Sequence, residues 1–600
     1  MFYYNPLDKF CKSVTGAATE NEKIVFRVKA DFESLVLVVK KDNAISDDFY
    51  PMTKSGDFFE REISFSRGLY FYSFYIGNGF YIGLSKNYSA EVSEKPSPFQ
   101  LTVYDKDYIV PDWLRGGIIY QIFPDRFNRG EKEKKLFNGQ VLHDNLKDTP
   151  EFLPDENGKI KNCDFFGGDF KGIINKIPYI AGLGVTAIYL NPIFKAYSNH
   201  RYDTGDYMTI DPLLGDESDF KNLISTANEY GIKIILDGVF NHTGDDSLYF
   251  NKYGHYNSIG AYQSINSPYA KWYKFINYPD TYESWWGIDV LPALNKSDEG
   301  FTEFLTGQNG VIEKYSKMGI GGWRLDVVDE IPDELVKKIR SAVKRNNQNA
   351  IIIGEVWEDA TNKISYGKRR EYFLGDELDS VMNYPLKNAI LGFVKDGNAE
   401  GLSFAVKEQI DHYPLNALNS LMNILSTHDT FRLLSAVGGV DVDGLTKSEM
   451  ANVKIPDILM VKAIFRLKAA SLLQYTLYGV PSVYYGDEIG MEGYTDPLNR
   501  RFFEWDNMNE EILSWYRLLG KIRRQYKVFR DGEVKEVFAR NGVYAFKRVK
   551  DDEEIFVAVN VSGEDKKLCF SGTIKNLLDG SVLINGGTLK SNSFAVFAAK

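Results

Sequence analysis

Eight short apolar segments, separated by stretches of helical periodicity, constrain the fold of this chain more than any other feature. Each segment is apolar on both faces, as required of a strand in a parallel sheet that is covered by helices. The segments are 117–123, 187–190, 233–237, 322–326, 351–355, 380–382, 421–425 and 482–485. Their alternation with helical stretches predicts an α/β fold, a (β/α)8 TIM barrel.

The stretches between the segments have the pattern of amphipathic helices. Ser218 is predicted to cap a helix that ends at Gly231, and further apolar stripes cover 331–344, 459–473 and 509–526. In a barrel of this kind, catalytic side chains lie at the C-terminal ends of the strands. Polar residues that follow the apolar segments are therefore the candidates for a functional site.

The two ends of the chain follow a different pattern, and 600 residues are too many for one core. Short strands with period-2 alternation predict an N-terminal β-sandwich domain over 1–111. Short strands return over 528–600 and predict a C-terminal β-sandwich domain. The barrel is predicted to cover 112–527, and the long interval 243–296 after its third strand predicts an inserted domain at the barrel mouth.

Composition excludes several classes of function. The net charge of -11 argues against nucleic acid and anionic membranes as partners, and no apolar stretch approaches membrane-spanning length. Cys11, Cys163 and Cys569 are scattered and odd in number, so they indicate neither a disulfide framework nor a zinc site. The N-terminal residues lack a basic region followed by a long apolar run, which predicts a cytoplasmic protein unless a leader was removed.

The fourth segment, together with the glycine that precedes it, has the sequence Gly321-Gly-Trp-Arg324-Leu-Asp326. Arg324 and Asp326 are two residues apart, so on a strand they point to the same side. A guanidinium group beside a carboxylate favours the ionised form, which a nucleophilic Asp requires. Taken alone, the pair is equally compatible with a surface salt bridge.

Other titratable residues also follow the strand segments. Asp237, Asp326 and Glu355 end three of the segments, and Asp429 follows the seventh. Three of the six histidines lie just past segment ends, namely His200, His242 and His428. This clustering predicts an active site at one rim of the barrel.

Four motifs stand in order on the third, fourth, fifth and seventh segments: Asp237-Gly-Val-Phe-Asn241-His242, Gly322-Trp-Arg324-Leu-Asp326, Gly354-Glu355-Val-Trp357 and Thr427-His428-Asp429. Together they resemble the four signature regions of the α-amylase family of glycoside hydrolases. One such motif would be a weak signal, whereas four in register are specific. The resemblance extends over roughly residues 113–505.

The resemblance implies the catalytic roles. Asp326 is the expected nucleophile, Glu355 the general acid/base, and Asp429 the carboxylate that binds the 2- and 3-hydroxyls of the sugar. A retaining glycosidase needs two carboxyl groups about 5–5.5 Å apart, one ionised and one protonated. Glu355 lies between Ile351-Ile352-Ile353 and Trp357, so we expect an apolar setting that favours its protonated form.

A set of sugar-binding side chains is also implied. Tyr202 matches the aromatic platform at the cleavage point, and Asp496 and Arg500 resemble a pair that binds one sugar further towards the non-reducing end. The other members of the set are His200, His242, Arg324, Glu330, His428 and Trp357. Without the resemblance, a tyrosine such as Tyr202 is more often a core residue, and Asp496 with Arg500 is more readily explained as a local salt bridge. For the histidines, the alternative is a hydrogen-bonded residue of the rim. For Arg432, a structural and a functional role stay open.

Further residues resemble the neopullulanase, cyclomaltodextrinase and maltogenic amylase branch. They are Leu291-Pro-Ala-Leu-Asn295 and Val327-Val328-Asp329-Glu330, and the N-terminal domain resembles the starch-binding type. The resemblance implies a retaining hydrolase of α-1,4 bonds in starch, pullulan or cyclodextrins, with some α-1,6 cleavage. The alternatives are an α-glucanotransferase and a catalytically silent α-glucan-binding barrel. The expected partners are α-glucan oligosaccharides or polysaccharides, and the expected state is a monomer or a homodimer.

The loop after the first strand departs from the family pattern. Asn128, Gly168 and Asp169 resemble the remnant of a calcium site, but the loop continues as Arg129-Gly-Glu-Lys-Glu-Lys134-Lys135. Calcium takes six to eight oxygen ligands, and lysines supply none. We therefore expect no required cofactor and no calcium at this loop.

Overall fold

A computed structural model describes residues 2–130, 133–156, 158, 160–568, 573–584 and 586–599. Cys569 and the loop residues Glu131 and Lys132 lie outside the described residues. Cys11 and Cys163 are buried free thiols. None of the described helices is long and apolar enough to cross a bilayer.

Eight parallel strands form the predicted barrel. They are β1 (Ile119–Ile122), β2 (Ala187–Leu190), β3 (Lys233–Gly238), β4 (Gly322–Leu325), β5 (Ile351–Gly354), β6 (Ser380–Val381), β7 (Met422–Ile424) and β8 (Val480–Tyr484). Their order in the sheet is β6-β5-β4-β3-β2-β1-β8-β7, and a parallel bridge between Met382 and Met422 closes the ring. All strand residues except Lys233 are buried. The barrel prediction is confirmed, with strand ends displaced by at most two residues.

Helices of eight or more residues surround the strands. They are α1 (Phe170–Gly182), α2 (Glu217–Glu229), α3 (Glu299–Thr306), α4 (Val311–Met318), α5 (Asp333–Asn346), α6 (Tyr384–Asp396), α7 (Ala399–His412), α8 (Asp457–Thr476) and α9 (Glu510–Gln525). Shorter helices are Leu415–Leu418, Leu433–Val437, Lys447–Met450 and Val528–Asp531. The prediction that Ser218 caps α2 is wrong. The cap is the Asp216 carboxylate, which accepts a hydrogen bond from the Ser218 amide at 2.8 Å. A negative group at this position also interacts favourably with the helix dipole.

The N-terminal domain is a sandwich of two sheets, as predicted. One sheet contains Phe2–Tyr3, Ile24–Ala30, Thr53–Ser55 and Phe58–Ile63. The other contains Ala18–Thr19, Val36–Lys41, Asp48–Pro51, Gly68–Gly77, Phe80–Leu84, Ala90–Ser93 and Phe99–Tyr104. A buried ion pair between Lys12 and Asp411, 2.5 Å long, joins this domain to α7. Loss of one partner of such a pair costs about 3–5 kcal/mol, so the pair contributes to the fixed position of the sandwich on the barrel.

The C-terminal domain also consists of two sheets. The larger sheet contains Glu533–Arg540, Val543–Lys550, Glu553–Asn560, Thr573–Asn576, Val582–Ile584 and Ser593–Ala599, and the smaller contains Lys566–Leu568 and Gly587–Leu589. The buried Arg548 side chain donates to the carbonyl oxygen atoms of Thr476 and Val528 and so links this domain to the end of α8. The domain boundaries at 111/112 and 527/528 stay predictions.

The inserted region after β3 lies beside the carboxyl ends of the strands. It contains the short strands Phe275–Asn277 and Thr281–Tyr282, and a bridge joins His242 to Ala293. Two other strand pairs flank the mouth, namely Phe194–Ala196 with Thr204–Ile210 and Ile364–Ser365 with Lys368–Arg369. The inserted region therefore supplies part of the wall above the barrel.

Candidate active site

One buried arginine contacts three carboxyl groups at the rim. Arg324 Nη1 lies 2.9 Å from Asp237 Oδ1 and 2.6 Å from Asp326 Oδ1, and Nη2 lies 2.8 Å from Glu355 Oε2. These residues come from the ends of β3, β4 and β5, which are neighbours in the sheet. The predicted pairing of Arg324 with Asp326 is therefore a buried cluster of the barrel rim and not a surface salt bridge.

The surroundings of Glu355 differ from the expectation. Its Oε2 atom accepts from the Val327 amide at 2.8 Å, and its Oε1 atom accepts from Trp357 Nε1 at 3.1 Å. The prediction of an apolar setting is wrong, because the chain turns sharply after Asp326 and aims the Val327 amide at the carboxyl group. The function of these donors is to fix the orientation of Glu355 next to Asp326.

The charges of the cluster affect the pKa of Asp326. Burial raises the pKa of Asp326 well above its usual range, Arg324 opposes the rise, and the negative neighbours Glu355 and Asp237 add to it. Arg324 thus favours the ionised form, as predicted, but does not outweigh burial. Since one cation faces three carboxyl groups, the cluster retains a proton more readily than an isolated pair does.

Asp429 lies beside the other predicted sugar-binding residues. Its Oδ2 atom is 3.2 Å from His428 Nε2, and its Oδ1 atom is 3.5 Å from Arg500 Nη2. Arg500 Nη1 also contacts Asp496 Oδ1 at 2.8 Å. The two strand-end loops therefore bring Asp429, Arg500 and Asp496 into one polar wall.

Tyr202 is fixed through its hydroxyl group. The hydroxyl donates to Asp237 Oδ2 at 2.8 Å and accepts from Asn191 Nδ2 at 2.9 Å and from His428 Nε2 at 2.6 Å. Gln121 Nε2 lies 3.0 Å from His428 Nδ1, which makes Nδ1 the acceptor and Nε2 the protonated nitrogen. Because the hydroxyl group is fully used, the ring is the part of Tyr202 that a sugar can contact.

His242 presents an unpaired ring nitrogen. Its Nδ1 atom lies 3.1 Å from Asn241 Nδ2, while its buried Nε2 atom has no hydrogen-bond partner in the described part of the chain. Burial lowers the pKa of His242 to about 3, and the Lys296 cation adds to this effect. A neutral imidazole with a free, buried Nε2 atom can bind a sugar hydroxyl group.

His200 and Arg432 have different surroundings. His200 Nδ1 accepts from the Tyr202 amide at 3.1 Å, so this side chain orients the Tyr202 backbone. Arg432 Nη1 donates to the Tyr485 carbonyl oxygen at 2.6 Å, and its guanidinium group lies over the ring of Tyr484. These contacts favour the structural role for Arg432.

A family model described as "Alpha amylase, catalytic domain" matches residues 121–537, more than half of the chain. The chain belongs to the α-amylase family. Within this family, several proteins are similar along most of the chain. An amylopullulanase from Thermoanaerobacter thermohydrosulfuricus is 35% identical in an alignment 657 positions long, and the match covers 96% of this chain and 43% of the relative. Neopullulanase 2 from Thermoactinomyces vulgaris is 33% identical over 503 residues, which cover 81% of this chain and 76% of the relative.

A solved structure supports the same family assignment. The type III pullulan hydrolase from Thermococcus kodakarensis has a TM-score of 0.71 and 27% identity, and the match covers 100% of both chains. The chain spans 34% to 52% of the length of the three amylopullulanases that it matches. The barrel with sheet domains on both sides is thus an α-amylase family arrangement.

A group of exposed aromatic residues lies beside Glu330, outside the four motifs. Glu330 Oε1 accepts from Trp286 Nε1 at 3.1 Å, and Oε2 accepts from the Tyr366 hydroxyl at 2.5 Å. Trp286 and Tyr366 are 78% and 77% exposed, so their rings face solvent. Trp285 stacks on His242 and on Trp286, with ring centroids 5.3 Å apart in both pairs, so this group extends to His242.

Sequence reasoning found Glu330 and missed the two exposed rings that it binds. The signals that could have found them are Trp285-Trp286-Gly287 within the insertion and Tyr366-Gly367 within a hairpin turn. Trp286 and Tyr366 both have a positive φ, 52° and 51°, a conformation that non-glycine residues rarely adopt. Trp357 is 46% exposed and stacks on Tyr384, so it also presents a ring face near Glu355.

In the loop that resembles the family's calcium loop, the candidate oxygen ligands are occupied by hydrogen bonds. Asp169 Oδ1 accepts from the Gly172 amide at 2.7 Å and from the Gly130 amide at 2.9 Å. The Asn128 side-chain amide donates to the Gly172 carbonyl oxygen, and the Asp169 amide donates to the Asn128 carbonyl oxygen. Gly168 lies next to Asp169 at the start of α1. These hydrogen-bonded oxygens do not fit a calcium ion, which needs six to eight oxygens directed at one point.

Proposed function

We propose that this chain is a retaining α-glucan hydrolase that cleaves α-1,4 bonds of starch, pullulan or cyclodextrins, with some α-1,6 cleavage. The observation that supports it most is the placement of Asp326 and Glu355 on opposite nitrogens of one guanidinium group. Adjacent strand ends hold the two carboxyl groups close together, as the retaining mechanism requires. The names of the relatives, which include amylopullulanase, neopullulanase and cyclomaltodextrinase, favour the same substrates.

The chemistry follows from the two carboxyl groups. Asp326 attacks the anomeric carbon while Glu355 protonates the leaving glycosidic oxygen, so the bond to the leaving glucan breaks as the bond to Asp326 forms. Glu355, now ionised, then accepts a proton from water, and the water oxygen displaces Asp326. The donors on Glu355, from Val327 and Trp357, orient it for both steps.

The polar wall supplies the sugar contacts. Asp429 accepts from two sugar hydroxyl groups, and His242 Nε2 donates to another. Both ring nitrogens of His428 are already paired, so this side chain positions Tyr202 and Asp429. Tyr202 offers its ring face, and Arg500 with Asp496 binds the next sugar. Arg500 is 7% exposed, and its pair with Asp496 supports a position fixed before substrate binds.

A second candidate function is α-glucan transfer. The exposed rings of Trp286 and Tyr366 near Glu330 provide a surface on which a sugar acceptor can stack. An acceptor bound there would compete with water for the glycosyl-enzyme. A silent α-glucan-binding barrel is disfavoured because Asp326, Glu355 and Asp429 are all present and grouped at the rim.

Separation of the products from pullulan, soluble starch and cyclodextrins tests the proposal. Panose from pullulan indicates α-1,4 cleavage, maltotriose alone indicates α-1,6 specificity, and products longer than the substrate indicate transfer. Binding of glucan without any product would contradict the hydrolase. The cytoplasmic location and the monomeric or homodimeric state stay predictions.

A further inference from the structure

Lys134, in the loop after β1, has a buried ammonium group. Its side chain is 8% exposed, and its Nζ atom contacts Asp169 Oδ2 and donates to the Leu213 carbonyl oxygen at 2.9 Å. Asp169 is 3% exposed and caps α1. An ammonium group thus lies buried between a carboxylate and a carbonyl oxygen, which are the ligand types that calcium prefers.

We propose that the Lys134 ammonium group takes the place of a structural calcium ion and joins three segments of the barrel rim. The segments are the loop that carries Lys134, the N-terminus of α1 through Asp169, and the turn before α2 through Leu213. This cation is covalently part of the chain. The rim therefore keeps its structure without a dissociable metal.

The oxygen atoms around Lys134 are already used. Asp169 Oδ1 accepts from two backbone amides, and Oδ2 accepts from Lys134, so both carboxylate oxygens have donors. A Cβ atom on Gly130 would lie 2.7 Å from Asp169 Oδ1, which shows how closely the loop packs on this carboxylate. A divalent ion at the same place would displace these donors and lie next to an ammonium group.

A second cation from the same loop satisfies neighbouring carbonyl oxygens. Arg129 Nε donates to the Phe166 carbonyl oxygen at 2.6 Å, and Arg129 Nη2 donates to the His143 carbonyl oxygen. Backbone carbonyls of this kind are the neutral ligands of calcium loops. Side-chain cations at two positions therefore do what one metal ion does elsewhere.

The joined segments are linked to the candidate active site. Arg126 is close in sequence to this loop, and its Nη1 atom donates to the Arg500 carbonyl oxygen at 2.9 Å. The Arg126 carbonyl oxygen accepts from the Phe503 amide at 2.8 Å. Loss of the Lys134 contact should thus lower the thermal stability of the protein and increase the mobility of Arg500.

The test compares melting temperatures of the full chain with EDTA and with millimolar calcium chloride. We expect the Tm of the wild-type protein to change by less than about 1 °C in either. Lys134→Met should lower the Tm by several degrees, because it leaves Asp169 Oδ2 and the Leu213 carbonyl oxygen unpaired. Lys135→Met is the matched control, since Lys135 is an exposed neighbour with the same charge, and its Tm should match the wild type.

Lys134→Arg keeps a cation at this position and should have a higher Tm than Lys134→Met. If Lys134→Met fails to fold, the Tm of Lys134→Arg is compared with that of the wild type instead. The proposal is overturned if EDTA lowers the wild-type Tm and calcium restores it. It is equally overturned if Lys134→Met melts together with Lys135→Met. Metal analysis of the purified wild-type protein should find less than about 0.1 calcium per chain, and one calcium per chain would contradict the proposal.

Discussion

Asp326 Oδ1 lies 2.6 Å from Arg324 Nη1, and both side chains are buried at the carboxyl end of β4. The same Nη1 atom also contacts Asp237, so Asp326 shares its counter-ion. Shared compensation leaves the Asp326 anion less stabilised than an exclusive ion pair would. This arrangement sets the expected behaviour of the active-site variants.

Asp326→Asn and Glu355→Gln should each lower turnover by several decades on a natural glucan, because they remove the nucleophile and the proton donor. Both replacements are isosteric, so melting temperatures close to that of the wild type serve as the folding control. Activity near that of the wild type in either purified variant would contradict the assignment of that residue.

The pH dependence follows from the raised pKa of Asp326. Attack requires the ionised form, so kcat/KM should rise with pH through this pKa, at values above those of an ordinary Asp. Asp237→Asn removes a negative neighbour and a competitor for Arg324, and the acidic limb should move to lower pH. Asp112→Asn, on an exposed carboxylate, is the control. An unmoved acidic limb in Asp237→Asn would refute the shared-charge account.

Glu377 provides a test of stability against pH. It is buried, and neither carboxylate oxygen has a hydrogen-bond partner among the described residues. Burial raises its pKa to about 9, above the unfolded value of about 4.3. The folded state therefore binds more protons than the unfolded state between these pH values, and stability falls as pH rises through this window.

Glu377→Gln removes this loss. Its Tm should exceed the wild-type Tm by several degrees at pH 8 and by little or nothing at pH 4, measured by calorimetry. Glu299→Gln, on an exposed carboxylate of α3, should show no such pH dependence. A Tm difference that is the same at both pH values would show that Glu377 is not held protonated.

The exposed rings predict an effect on acceptor sugars. Trp286→Ala and Tyr366→Ala should each raise KM for long glucans by roughly fivefold, since a stacked ring contributes about 1 kcal/mol. They should also lower the ratio of transfer to hydrolysis products, with kcat on short substrates nearly unchanged. Ile288→Ala, an exposed aliphatic residue of the same loop, is the control. Equal effects on short and long substrates would argue against an acceptor surface.

The barrel and its rim were predictable because two strong local signals agree. Buried strands require apolar runs, and residues such as Asp237, Asp326 and Glu355 interrupt them only where the strands end. The surroundings of Glu355 were not predictable, since the Val327 amide is aimed by a backbone with φ of 38° that no periodicity encodes. Trp286 and Tyr366 come from segments 80 residues apart, and both bind Glu330.

The α2 cap and Lys134 show a similar limit. Ser218 and Asp216 are both good caps, and the choice depends on backbone geometry at Gly215 and Asp216. The lysine-rich loop predicted the loss of calcium ligands, but the sequence did not show that Lys134 would contact Asp169 and Leu213. Contacts between segments 35 and 79 residues apart depend on tertiary packing.

The central claim is that Asp326 acts as a nucleophile and Glu355 as an acid/base in a double displacement. Proton NMR of the fresh hydrolysis product of a maltooligosaccharide, recorded before mutarotation, tests it most directly. Two inversions at the anomeric carbon return the original configuration, so the α-anomer should appear first and the β-anomer should follow at the rate of mutarotation. If the β-anomer appears first, displacement is a single step and the nucleophile role of Asp326 is wrong.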